Sequence, residues 1–157
     1  MRKANYDKFP STKLTGMLVQ GWDSIISMLK KKMDARKVLA VDLYTGVYEE
    51  EVLDAFSKEF SGRVMNVRDL MKPEKEIQTL TERFMTEDVL FGYVTNLKLE
   101  DYLDADKVAA ARKQISEAKE TIVIIGTGAA VVAPQDAMVV YADMARWEIQ
   151  QRFRRHE

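Results

Sequence analysis

The chain has 157 residues, of which 46% are apolar and 31% charged, and this fits one soluble globular domain rather than extensive disorder. Its 24 basic and 25 acidic residues leave a formal net charge of −1, which argues against bulk attraction to nucleic acid or a membrane surface. The absence of Cys excludes disulfides and thiolate metal sites, and a lone His, His156, excludes a multi-His metal centre.

Residues 1–16, "MRKANYDKFPSTKLTG", read as an irregular arm, too polar to carry a secretory core. Trp22, Ile25, Ile26, Leu29 and Met33 then recur at helical spacing, predicting an amphipathic helix up to about Met33. The arm and this helix form residues 1–36, ahead of an α/β core over 37–157, the whole making one domain. "VLAVD" (38–42) has the continuous apolar character of a strand buried on both faces. Glu49 to Phe60 is expected to be helical, with Val52, Leu53, Phe56 and Phe60 on one side and Gly62 just past its end.

"RVMNV" (63–67) is the next strand candidate, and Pro73 sits where a further helix would open, carrying Ile77, Leu80 and Phe84. The run 88–96, "DVLFGYVTN", is open between a strand and a turn region. Asp104 has the chemistry of an N-cap for a helix with Val108, Ala111, Ile115 and Ala118 in one stripe. "TIVIIG" (121–126) is the clearest strand and "AMVVYA" (137–142) the last. A final helix from Asp143 to Arg155 is expected to turn Ala145, Ile149 and Phe153 inward. It ends in "QRFRRHE" without Gly or Pro, which hints at a piece of a longer protein. Strands alternating with helices predict a three-layer α/β fold around an approximately five-stranded, mostly parallel sheet. The apolar runs are far too short to span a membrane, and the expected location is the cytoplasm.

Charge is unevenly placed along this frame. Met1 to Lys37 holds nine Lys or Arg against three Asp, whereas Asp42 to Phe60 holds six acids against one Lys. Two solvated faces account for this, with partner docking as the alternative.

The segment after the first strand has the layout of a phosphate loop, GxxxxGK[ST], in which backbone N–H groups, a Lys and a hydroxyl hold phosphate and Mg²⁺. Laid over "DLYTGVYEEE", the pattern puts Leu43 and Tyr48 at its two glycines, Glu49 at its Lys and Glu50 at its hydroxyl. Asp42, Tyr44, Thr45, Gly46, Tyr48, Glu49 and Glu50 thus form a degenerate loop. The three Glu also occupy the positive end of the helix dipole that an anion would seek. An ordinary helix start is the simpler account of them. A second Gly-bearing turn, Gly126–Thr127–Gly128, follows the strand at 121–126 and contains GxG without the third glycine of a dinucleotide fingerprint. With Asp143, Arg146 and Arg152 it outlines a ligand edge at the carboxyl end of the sheet. Glu148 and Arg152 are also spaced for an i,i+4 pair.

Two resemblances add to this reading. "VLAVDLYTG", "TIVIIGTGAA" and "MVVYADMARWEIQQRFRRH" resemble, in order, the first strand and loop, a later strand and turn, and the last core strand and Arg-rich helix of uridine and nucleoside kinases. That implies a phosphate-loop kinase-like fold, with the departures at Leu43, Tyr48, Glu49 and Glu50 weighing against kinase activity. "NYDKFPSTK" (5–13), "GWDSII" (21–26), "YTGVYEEE" (44–51), "FGYVTNL" (91–97) and "VYADMARWEIQQRFRR" (140–155) resemble the N-terminal extension of bacterial class I mannose-6-phosphate isomerase-like proteins. This implies an accessory domain whose partner is a downstream cupin that holds zinc and isomerises the sugar phosphate. The chain itself would then hold no catalytic residue, metal or cofactor. A ligand-sensing domain for a nucleotide or sugar phosphate is the alternative, and a small kinase the third.

Overall fold

A computed structural model describes residues 11–13, 15–88 and 91–156. Most of the N-terminal arm, and Val89 and Leu90 of the 88–96 run, lie outside them. The elements are α1 (Trp22–Met33), β1 (Val38–Leu43), α2 (Glu49–Glu59), β2 (Arg63–Asn66), α3 (Glu74–Glu82), α4 (Ala105–Glu117), β3 (Ile122–Gly126), α5 (Ala129–Val132), β4 (Met138–Ala142) and α6 (Arg146–Arg155). Two 3-10 turns, Val67–Leu70 and Leu99–Tyr102, add short connectors that periodicity does not reveal.

The strands pair entirely in parallel, in the order β2-β3-β1-β4. Four strands stand among the described residues where about five were expected, because the described part of 88–96 forms no strand. The period-2 alternation of β1 and β3 sends their side chains into two separate cores. Val38, Ala40, Ile122 and Ile124 join Val67, Val108, Ala111, Ile115 and Val132 on one face. Leu39, Val41, Leu43, Val123 and Ile125 join Ile26, Leu29, Met33, Val52 and Phe56 on the other. Helices α4 and α5 therefore cover one face, and α1 and α2 the other.

Local chemistry explains several element ends. The Asp104 carboxylate accepts from the N–H groups of Asp106 and Lys107, each at 3.0 Å, which starts α4 as expected. Gly126 ends β3 at φ 136°, and a Cβ there would sit 2.8 Å from Val67 Cβ, so only glycine fits. Helix α6 opens at Arg146 rather than Asp143, since Ala145 keeps an extended conformation as its N-cap. It closes on His156 in the left-handed conformation, whose N–H bonds back to Arg152 and Phe153 carbonyls.

The phase of α6 differs from the expected one. Phe153 is 76% exposed and Ala145 is exposed, while Ile149 is half-buried beside Arg152. An Arg can lay its stem along a surface and bond its fork, and here that option displaces the aromatic ring from the inner face.

Burial sets the expected stability effects. Phe56 is 1% exposed in the core between α1, α2 and the sheet, so Phe56→Ala should cost about 3–5 kcal/mol. Phe153→Ala should cost under about 1 kcal/mol, since that ring lies in solvent. Urea melts of the two variants measure the contrast.

Candidate functional site at the carboxyl edge of the sheet

From β1 the chain leaves through α2 on one face of the sheet, and from β3 it leaves through α5 on the other. Adjacent parallel strands whose connections depart to opposite faces open a crevice between their carboxyl ends, where α/β sheets place ligands. The crevice has a volume of about 580 Å³ and is lined by Leu43 through Glu51, Arg68 and Thr127. Tyr44, Thr45, Gly46, Tyr48, Glu49, Glu50 and Thr127 are thus brought together. Asp42, Gly126, Gly128, Asp143, Arg146 and Arg152, also expected at this edge, do not line it. A larger cavity of about 860 Å³ lies at the opposite end of the sheet, with Arg36, Lys37 and Arg112 mixed among Asp34, Glu120 and Asp136. Arg112 there is already bonded to the Val131 carbonyl at 2.8 Å, and the charges balance, so the switch-point crevice is the better site.

Several polar groups in and beside the crevice are bonded within the protein. The carboxylate of Asp42 accepts from Gly128 N–H at 3.2 Å and from Ala130 N–H at 2.8 Å. It therefore takes the place an anionic ligand would occupy at the turn after β3. Gly128, at φ 90°, aims its N–H there, and an added Cβ would meet Leu99 Cδ2 at 3.0 Å. Thr127 donates its hydroxyl to the Leu43 carbonyl at 3.0 Å. Glu49, in the position of the phosphate-loop Lys, accepts from Asn66 Nδ2 at 2.8 Å and faces the Arg68 guanidinium at 3.5 Å. Glu51 accepts from Trp22 Nε1 at 2.9 Å.

Arg152 closes the loop from the other side. Its side chain is 17% exposed, its guanidinium lies 3.6 Å from the centre of the Tyr48 ring, and it donates to the Gly46 carbonyl at 2.5 Å. Its Nε also meets Glu148 at 3.1 Å, the i,i+4 pair foreseen from spacing. Gly46 adopts φ 98°, so the turn needs its freedom. Sequence reasoning missed Asn66, Arg68 and Trp22, because a lone residue after a strand or on a distant helix carries no spacing signal.

Two groups have shifted acidities. Hydrogen bonds from Arg152 and then Arg155 hold the Glu148 carboxyl below its usual range. Local desolvation, with Asp143, Asp42 and Tyr44 nearby, pushes the Tyr141 hydroxyl up. Among the described residues no group of three or more His, Cys, Asp or Glu could hold a metal ion, and no helix is long and apolar enough to cross a membrane.

Fold and site together define a parallel, three-layer α/β domain with a switch-point crevice in which Glu49, Glu51 and Thr127 are internally bonded. The chain belongs to a family described as a domain of unknown function, DUF8485, whose model matches residues 21–157. No curated protein and no solved structure matches it.

Removing the Asp42 carboxylate strands the N–H of buried Gly128 and leaves that of exposed Ala130 to water, so Asp42→Ala should destabilise the fold by about 1–2 kcal/mol in denaturant melts. Glu148 should contribute stability above the ordinary carboxylate pKa and lose it as pH falls through its lowered folded value. The melting difference between the natural chain and Glu148→Gln should accordingly shrink in acid.

Proposed function

We propose that this chain is a non-catalytic accessory domain of a mannose-6-phosphate isomerase-like protein, kinase-like in layout but with a phosphate loop converted into a structural joint. The observation that carries the non-catalytic part is the bonding of Asp42: its carboxylate occupies two N–H groups of the turn after β3, where an anion at the carboxyl edge of the sheet could otherwise sit. Glu49 in the position of the Lys, tied to Asn66 and Arg68, supports the same reading. A phosphate entering here would meet three carboxylates at the helix start, and the Arg68 guanidinium beside them already faces Glu49.

The isomerase association rests on the phrases at 5–13, 21–26, 44–51, 91–97 and 140–155. In that reading the zinc-holding cupin is a partner domain, the sheet gains a fifth strand, and the protein works in the cytoplasm, which suits a chain without Cys. The alternative of a sensor for a nucleotide or sugar phosphate has the crevice volume in its favour. It would need Asp42 or Arg152 to surrender an existing bond.

Calorimetric titration with Mg²⁺-ATP, other nucleotides and mannose 6-phosphate tests the non-catalytic reading. No binding tighter than ~100 μM (~5.5 kcal/mol) is expected, and Glu49→Lys alone should restore no phosphoryl transfer, because Tyr48 and Glu50 remain. The purified chain with Zn²⁺ should not interconvert mannose 6-phosphate and fructose 6-phosphate. In sedimentation it should associate with a separately expressed cupin isomerase domain of that class. Micromolar, Mg²⁺-dependent nucleotide binding abolished at Gly46 would overturn the structural-joint reading, and failure to associate would overturn the accessory one.

A further inference from the structure

Among the described residues, nothing pairs with the outer edge of the sheet at β4. Met138, Val140 and Ala142 pack toward the α1–α2 side, while Val139 and Tyr141 are 54% and 58% exposed on the other face. The Ala142 carbonyl accepts from Tyr44 N–H at 2.9 Å, so Ala142 and, by alternation, Val140 and Met138 turn their backbone groups toward β1. The N–H and C=O groups of Val139 and Tyr141 therefore point away from the sheet. Among the described residues β4 pairs with β1 alone.

Strands of parallel sheets are ordinarily covered on both faces, and exposed edges are ordinarily blunted by charge, Pro or a bulge. The stretch from Ala137 to Ala142 carries none of these charges or prolines, and acids stand just beyond it at Asp136 and Asp143. The opposite edge differs: β2 is shorter and opens with Arg63.

We propose that β4 takes up an added fifth strand from another polypeptide segment, uncharged and alternately apolar across its middle and basic at its ends. Its apolar side chains would cover Val139 and Tyr141, and its end charges would face Asp136 and Asp143. Charge argues against a second copy as the occupant. Antiparallel pairing of two β4 strands about Val140 would place Val139 opposite Tyr141 of the other copy. It would also set Asp136 opposite Met144, one position from the other copy's Asp143, at both ends of the pair. Like charges so placed oppose pairing. The edge chemistry stands apart from the crevice, so it holds whether or not a nucleotide binds there.

The test is amide hydrogen exchange on the full chain with two capped synthetic peptides, Lys-Thr-Val-Thr-Val-Thr-Lys and its Glu-ended twin. At millimolar peptide, the Lys-ended form should slow exchange of the Val139 and Tyr141 amides about tenfold, a change of ~1.4 kcal/mol, and leave Val140 unchanged. The Glu-ended twin should bind about tenfold more weakly. Tyr141→Pro removes an outward N–H without touching the β1 ladder, and it should abolish the protection. Asp136→Lys with Asp143→Lys, both at exposed positions, should reverse the peptide preference. No slowing with either peptide, or equal slowing with both, would overturn the proposal. So would a dimer in sedimentation with the two amides already protected, which would make a second copy the occupant.

Discussion

Burial of β1 and β3 on both faces is the constraint from which the remaining architecture follows. Two adjacent strands with no polar face need cover above and below, and only helices reached by long crossovers can supply it for parallel strands. One connection then has to leave each strand pair on each side. The opening between the departing chains is a by-product of that need, and it exists whether or not a ligand uses it. Asp42 sits beside this opening, just past the buried Val41. A carboxylate in that position requires donors, and the tight turn after β3 presents two. The same bond that settles Asp42 thus fastens β1 to the start of α5.

Much of the layering is legible in sequence because it rests on periodicity and composition. "VLAVD" and "TIVIIG" have no alternation to show, which is itself the mark of two-faced burial, and both are central strands. Asp104 announced α4 because an N-cap needs only local chemistry. The failures have physical causes too. The strand in "RVMNV" stops at Asn66 because the Asn66 side chain accepts from Arg68 N–H and turns the chain into a 3-10 segment. Phe153 looked like an inward residue by hydropathy, but the inner face of α6 is governed by Arg152, whose cation–ring and carbonyl contacts lie across the chain.

The meeting of the two turns was legible in sequence, and the bonding of their polar groups was not. The two turns that meet at the crevice follow the two central strands, and a parallel sheet aligns their ends without further information. Which partner each polar group takes is a different matter. Glu49 is held by side chains on the β2 end, and Thr127 by a carbonyl 84 positions away. Such pairings emerge only after folding brings distant segments together, so spacing rules cannot supply them. The loop resembled a binding element because strand, Gly-bearing turn and helix recur in one. In this structure Glu49 and Glu51 of that element bond to side chains of the same protein.

The Arg152 contact to Gly46 spans 106 positions of chain, nearly the whole length between the first strand and the last helix. During synthesis the turn after β1 emerges early, at a ribosomal pace of about 5–20 residues per second. It must therefore wait several seconds before the side chain that closes it exists. In that interval the turn, Tyr48 and the helix start behind them are without their clamp. Completion of the carboxyl edge thus waits until α6 has been made, and that helix acts as the latch on a turn synthesised long before it.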